Sequence, residues 1–68
     1  MIVHVNGEAR ELPDGATVRA VLALLDVPPD ARGIAVALDG EVVPRGAWDA
    51  TPLADGARVE VLTAIQGG

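Results

Sequence analysis

The chain has 68 residues, a formal net charge of −5 at pH 7 and hydrophobic side chains at 50% of its positions. One domain of this size buries roughly 60% of the surface of the unfolded chain, and the apolar content favours a packed globule over disorder. The acidic charge disfavours nucleic-acid binding because it repels phosphates, and the absence of cysteine excludes disulfides and thiolate metal sites.

The chain opens with a predicted β-hairpin, "MIVHVNGEARELP", that turns at Asn6-Gly7. Asparagine followed by glycine tolerates the positive φ angles that a tight type I′ turn requires. Along the first strand, alternation directs Val3 and Val5 to one face of the sheet and Ile2 and His4 to the other. We interpret the lone histidine as a surface residue rather than as a metal ligand or an acid–base group.

A helix is predicted next, from about Val18 to about Asp26. Thr17 is placed to cap its first free N–H groups, and Pro28 and Pro29 cannot continue it. An apolar stripe with spacing i, i+3, i+4, i+7 indicates the buried side of this helix: Val18, Val21, Leu22 and Leu25.

A second strand pair is predicted on either side of an Asp39-Gly40 turn. Pro44 has no N–H donor, so this pair ends there or lies on a sheet edge. The following segment, "GAWDATPLADGA", is irregular and is predicted to hold a short helical turn, and we interpret its Trp48 as a core or rim plug. In the first strand of the pair, one face carries Ile34, Val36 and Leu38, and the other carries Ala35 and Ala37.

The last predicted strand is "ARVEVLT", in which Val59 and Val61 face the core while Arg58, Glu60 and Leu62 face outward. The order of elements is therefore β-β-α-β-β-β. We predict an α+β fold in which one main helix packs on one face of a mixed sheet of four to five strands, because this arrangement buries every apolar stripe.

Side chains able to perform catalysis are scarce in this chain. It has no serine, cysteine, lysine or tyrosine, and its single histidine is His4. A nucleophile needs a positioned base and an orienting group, and acid–base chemistry needs paired groups with separated pKa values. We therefore expect neither an enzyme nor a cofactor or metal ion bound by the chain itself, and the carboxylate of Gly68 becomes the candidate reactive group.

The final residues, "TAIQGG", are predicted to form a flexible tail, residues 63–68, after a folded domain of residues 1–62. The alternative interpretation is an ordinary frayed terminus. Gly67 and Gly68 have no Cβ, so their backbone can pass through a channel too narrow for other residues. When extended, this tail reaches on the order of 20 Å, enough to enter a buried nucleotide pocket of a partner.

The order of elements resembles the ubiquitin-like β-grasp fold and, more narrowly, the ThiS family of sulfur carriers in bacterial thiamine biosynthesis. The resemblance covers the whole chain and departs from the family pattern in the complete lack of lysine. Gly-Gly alone is weak evidence, whereas "VPR", then Trp48, then a final "EVLTAIQGG" is a specific combination. The resemblance rests on "VNGE", "DGATVRAVLALL", "ALDGEVVPRGAW" and "LADGARVEVLTAIQGG".

This resemblance implies that the Gly68 carboxylate, preceded by Gly67, is adenylated by a ThiF-like, E1-like adenylyltransferase that uses ATP and Mg²⁺. Sulfur from a sulfur-donating enzyme then replaces the adenylate, and the thiocarboxylate passes its sulfur to a ThiG-like thiazole synthase. The chain is then a protein substrate rather than an enzyme. With no signal peptide and no apolar run longer than Ala20–Leu25, we expect it in the cytoplasm and not in a membrane.

Three alternatives stay open at this point. A molybdopterin-type sulfur carrier shares the fold and the tail, but such chains tend to be longer and to approach Gly-Gly through a proline. A ubiquitin-like protein modifier would be joined through Gly68 to lysines of its targets. A plain protein-interaction module would have a tail without a chemical role.

A docking surface is predicted at the base of the tail. In the β-grasp arrangement the first and last strands lie side by side, so their outward residues share one face, and a cluster of apolar residues there indicates a partner site. The alternative is that the loop around Trp48 covers this face. The predicted surface consists of Ile2, His4, Arg58, Glu60, Leu62, Ile65 and Gln66.

Overall fold

A computed structural model describes residues 1–28 and 30–63 of the chain. Within them, the sheet follows the order β2-β1-β5-β3-β4 and is mixed, with one α-helix. This is the predicted α+β architecture with its five strands. The elements in chain order are β1 at Ile2–Val5, β2 at Glu8–Glu11, α1 at Val18–Leu24, β3 at Ile34–Leu38, β4 at Glu41–Val43, a 3-10 helix at Arg45–Ala47 and β5 at Arg58–Thr63.

The first and last strands are neighbours at the centre of the sheet. β1 runs parallel to β5, with His4 opposite Arg58 and Val5 opposite Val59. On its outer side β1 pairs antiparallel with β2, and β5 pairs antiparallel with β3. The last strand is therefore inserted between the two hairpins, and the predicted contact between the first and last strands is confirmed.

The core lies between one face of the sheet and α1. Val3, Val5 and Val59 are at most 2% exposed, and Val61 is 7% exposed, which confirms the predicted inward direction of all four. The complete buried apolar set of the described residues is Val3, Val5, Leu12, Val18, Val21, Leu22, Val36, Val43, Trp48, Leu53, Ala57, Val59 and Val61.

The N-terminus of α1 is satisfied by backbone carbonyls rather than by a side chain. Thr17 occupies the N-cap position, but its side chain makes no capping hydrogen bond. Instead, the N–H of Val18 donates to the carbonyl of Thr51 at 3.0 Å, and that of Arg19 donates to the carbonyl of Trp48 at 3.2 Å. The predicted Thr17 cap is wrong because the irregular segment folds back onto the helix and supplies these acceptors.

The C-terminus of α1 is closed by a Schellman motif. The N–H of Asp26 donates to the carbonyl of Ala23 at 3.1 Å, and the N–H of Val27 donates to that of Leu22 at 2.9 Å. Asp26 adopts the left-handed φ of 59° that this motif requires at its position. The helix therefore ends at Leu24, slightly before the predicted boundary, because the motif stops it ahead of the two prolines.

Trp48 plugs the core beneath the irregular segment, as predicted. Its side chain is 1% exposed, and its indole N–H donates to the carbonyl of Val43 at 2.9 Å. The guanidinium carbons of Arg19 and Arg45 lie 5.3 and 4.7 Å from the ring centroid, within the range of cation–π attraction. The 3-10 helix just before Trp48 is the predicted helical turn.

Candidate functional site

The predicted reactive end lies outside the described residues. The site residues predicted in this part of the chain are Ile65, Gln66, Gly67 and Gly68. Their roles, and the division into a domain and a tail, stay predictions. β5 continues through Thr63, whose Cα lies opposite that of Ile34 in β3. The structure therefore describes the sheet from which residues 64–68 continue, including the residue at which the predicted tail begins.

The outward face of the sheet, on the side away from α1, brings the described members of the predicted docking surface together. Alternate residues of β1 and β5 are exposed. Ile2 is 41% exposed and Leu62 is 67% exposed, so the segment around Trp48 does not cover them. We call this surface the docking face, and its predicted members are Ile2, His4, Arg58, Glu60 and Leu62.

A groove of about 580 Å³ crosses the docking face where β1 lies beside β5. It carries both signs of charge, because Arg58 and Glu60 face it along with the imidazole of His4. Within residues 1–28 and 30–63, neither Arg58 nor Glu60 forms an ion pair, so both can contact a partner. The lining residues are His4, Asn6, Gly7, Arg58, Val59 and Glu60.

The apolar part of the docking face extends further than the sequence indicated. The strand register places Ala35 opposite Leu62, and Ala37 opposite both Glu60 and Val42. Val42 is 77% exposed and was assigned no role from the sequence. Alternation alone assigns the two alanines to one face of β3, but only the pairing of β3 with β5 makes that face continuous with Leu62.

Two turn residues form side-chain hydrogen bonds with the backbone of β5, the strand that carries Arg58, Glu60 and Leu62 of the docking face. Asp39 accepts the N–H of Arg58 through Oδ1 at 2.9 Å. Asn6 accepts the N–H of Val61 through Oδ1 at 2.8 Å and donates from Nδ2 to the Val61 carbonyl at 3.3 Å. Both turn residues have positive φ, 50° at Asn6 and 49° at Asp39. The turns therefore supply side-chain bonds to the strand that leads to the tail.

Residues 1–28 and 30–63 contain no cluster of three or more His, Asp or Glu residues suited to holding a metal ion. The same part of the chain contains no helix with the length and apolar character needed to cross a membrane.

The family model that matches this chain is that of the ThiS family, and the match spans residues 3–68. The chain belongs to the ThiS family. This confirms the resemblance noted in the sequence, and with it the family-level role of a sulfur carrier in thiamine biosynthesis. Because the match reaches residue 68, it includes Gly67 and Gly68.

Two solved structures from Geobacter metallireducens are similar to this ThiS-family chain. The crystal structure of a thiamine biosynthesis protein, ThiS, is 37% identical, covers 100% of both chains and gives a TM-score of 0.79. The solution structure of a thiamine biosynthesis protein, determined by NMR, is also 37% identical, covers 100% of this chain and 88% of the other, and gives a TM-score of 0.79. These likenesses confirm the predicted fold.

A curated relative is described as a thiazole synthase from Paramagnetospirillum magneticum. It is 36% identical over 68 residues, which is 100% of this chain but 20% of that protein. The ThiS-family chain thus spans a fifth of the length of this relative and corresponds to one part of a larger polypeptide.

Proposed function

We propose that this ThiS-family chain carries sulfur as a thiocarboxylate on Gly68 and donates it for formation of the thiazole moiety of thiamine. The observation that carries the proposal is the family match through residue 68, which includes both terminal glycines. The scarcity of catalytic side chains supports it, since a chain whose single imidazole is an exposed His4 is better suited to be a substrate than a catalyst.

The proposed chemistry begins with activation of a poor electrophile. Delocalised charge makes a carboxylate resistant to attack, so an E1-like, ThiF-like adenylyltransferase joins the Gly68 carboxylate to AMP and releases pyrophosphate from ATP. A hydrosulfide equivalent from a sulfur-donating enzyme then attacks the acyl carbon, and AMP leaves. The thiocarboxylate stays attached to the folded chain, which prevents loss of a reactive sulfur by diffusion. ATP and Mg²⁺ are bound by the partner.

The docking face supports a protein partner for this chemistry. Ile2 in β1 and Leu62 in β5 expose apolar surface, and β5 is the strand that leads to Gly68. Apolar clusters of this kind on a protein surface indicate interaction sites. Arg58 and Glu60 add charged contacts that can orient the partner. The net charge of −5 favours a partner with a basic docking surface, mainly by raising the rate of encounter.

Thiazole synthase is the proposed acceptor of the sulfur. A relative that bears this name contains a segment similar to the whole of this chain, which associates a module of this kind with thiazole formation. The same relative and the ThiS-family match favour the thiamine pathway over a molybdopterin-type carrier. A cytoplasmic location belongs to the same proposal.

Loading of Gly68 can be tested by intact mass spectrometry. Incubation with the adenylyltransferase, ATP and Mg²⁺ should add one adenylyl group, and further addition of the sulfur donor should leave a net replacement of one oxygen by sulfur. Two matched controls should show neither change while keeping the circular dichroism of the parent: a chain that ends at Gly67, and a semisynthetic chain in which the Gly68 carboxylate is a carboxamide.

Two results would contradict this assignment. Loading of the chain that ends at Gly67 would show that another group reacts. Formation of large conjugates on lysines of other proteins, without the sulfur-for-oxygen change, would favour the protein modifier instead.

A further inference from the structure

The parallel pairing of β1 with β5 stops at the first turn. The N–H of His4 donates to the carbonyl of Ala57 at 2.8 Å, and the N–H of Asn6 donates to that of Val59 at 2.9 Å. In a regular parallel ladder the next bond would join the Asn6 carbonyl to the N–H of Val61. Asn6, however, has a φ of 50° and begins the turn, so the backbone leaves the ladder before that bond forms.

The carboxamide of Asn6 replaces the missing part of the ladder. Its Oδ1 accepts the N–H of Val61 at 2.8 Å, and its Nδ2 donates to the carbonyl of the same residue at 3.3 Å. On the other side, Val61 pairs with Val36 of β3. Val61 therefore has a neighbour on each side, although Asn6 lies 55 positions earlier in the chain. We call the two bonds the Asn6 clamp.

We propose that Asn6 is a positioning residue that determines where, and in which direction, the reactive end of the chain leaves the sheet. This rests on the proposed function of Gly68. Beyond Val61, the described part of β5 pairs with β3 alone, through Leu62 and Thr63. Without the clamp, β3 alone holds β5 beyond Val59, so this end of the strand opens more readily. When it opens, the last fixed residue moves back toward Val59.

Such opening has two consequences for delivery of Gly68. The segment between the last fixed residue and the carboxylate lengthens, and the effective concentration of its end at a partner's pocket falls at least as the −3/2 power of length. The direction of exit is also lost, and misplacement of a reacting group can cost more than the length effect. Leu62 leaves its place on the docking face at the same time.

Asp39 offers a matched control. Like Asn6, it precedes a turn glycine, has positive φ and accepts a β5 N–H through Oδ1, but it holds Arg58 at the beginning of the strand. Glycine adopts positive φ without steric cost. Asn6→Gly therefore removes the two side-chain bonds to Val61, and Asp39→Gly removes the one to Arg58, while both variants keep the turn conformation.

The kinetic test compares adenylation of the parent chain and both variants by the ThiF-like partner, at a temperature where circular dichroism shows all three folded. We expect Asn6→Gly to lower kcat about fivefold, because the end is delivered less often in the productive geometry. KM should rise by less than about tenfold, because Leu62 is loosened while Ile2, His4 and Arg58 precede the clamp and still dock. For Asp39→Gly, both constants should stay within about twofold of the parent values.

A second measurement needs no partner. Backbone ¹⁵N relaxation of the free proteins should show lower order parameters at Leu62 and Thr63 in Asn6→Gly than in the parent, and no change there in Asp39→Gly. Asn6→Asp should be intermediate, because it keeps the turn and the acceptor for the Val61 N–H but places a carboxylate oxygen against the Val61 carbonyl. This variant carries the comparison if Asn6→Gly does not fold.

Equal kinetic losses in Asn6→Gly and Asp39→Gly would overturn the proposal, because the clamp would then act through stability alone. Unchanged order parameters at Leu62 and Thr63 would overturn it as well. If the parent chain is not adenylated at all, the proposed function fails, while the relaxation data still decide whether Asn6 holds the end of β5.

Discussion

Leu62 is the residue at which stability and function are most clearly in conflict. It is an apolar side chain, 67% exposed, in β5 and one residue before the last described residue, Thr63. Burying a leucine contributes about 1.5–3 kcal/mol to folding, and a thin-cored domain gains nothing from leaving one in water. The proposed contact with a partner accounts for its position, because Ala35 and Ala37 extend the same apolar surface.

We expect Leu62→Asp to weaken binding of the ThiF-like partner at least about tenfold, or roughly 1.4 kcal/mol, because a charge would be desolvated within an apolar contact. The free energy of unfolding should change little, since the side chain is already in water. Isothermal titration calorimetry and a thermal melt measure the two quantities.

Leu24→Asp is the control for this experiment. It makes the same chemical change at a residue that is 37% exposed. Leu24 lies on α1, which packs on the face of the sheet opposite to the docking face. Its affinity for the partner should equal that of the parent chain. Unchanged affinity in Leu62→Asp would remove Leu62 from the interface.

At the scale of the element, α1 is closed at both ends by the backbone. Its first N–H groups donate to carbonyls of the irregular segment, and its last carbonyls accept N–H groups in the Schellman motif. Asp26 occupies the left-handed position of that motif with a φ of 59°, where glycine is the usual residue. Its carboxylate is also unfavourable beside the negative end of the helix dipole.

Asp26→Gly should therefore raise the free energy of unfolding by about 0.5–1 kcal/mol, measured by urea denaturation. Asp26→Ala removes the same carboxylate but keeps a Cβ at positive φ, so it should be about 1 kcal/mol less stable than Asp26→Gly. Equal stabilities of the two variants would show that charge, and not backbone conformation, decides the preference at this position.

At the scale of the whole molecule, Trp48 connects the helix, an edge strand and the core. Its carbonyl accepts the N–H of Arg19 in α1 at 3.2 Å, and its indole N–H donates to the carbonyl of Val43 in the edge strand β4 at 2.9 Å. A domain of this length has a total stability of roughly 3–10 kcal/mol. A single residue that connects a helix, an edge strand and the core therefore carries a large share of it.

Trp48→Phe should lower the free energy of unfolding by about 1–3 kcal/mol, because it leaves the Val43 carbonyl without its donor and reduces the core volume. Far-UV circular dichroism during urea denaturation measures this. Thr51→Val is the comparison within the same segment: it removes the hydrogen bond from Oγ1 to the Ala47 carbonyl without removing core volume, and should cost about 1 kcal/mol. A smaller loss in Trp48→Phe than in Thr51→Val would contradict the central role of the indole.

Local patterns in the chain were sufficient for the number and kind of elements. Alternation gave the directions of Val3 and Val5, and Asn-Gly and Asp-Gly pairs located the two hairpin turns, because strand period and positive φ depend on neighbouring residues only. The described docking residues of β1 and β5 followed from the same alternation once the family resemblance made these strands neighbours.

The partners of polar groups could be decided only by the tertiary structure. Thr17 is a residue type that often caps helices. The first N–H groups of α1 nevertheless donate to the carbonyls of Trp48 and Thr51, which lie about 30 positions later in the chain. Asn6 is a residue type that favours turns, and it does occupy one. Its side chain nevertheless forms hydrogen bonds with Val61, 55 positions later. A hydrogen-bonding group takes the partner that folding brings within reach, and here that proximity depends on contacts between segments that are distant in the chain, which no local pattern encodes.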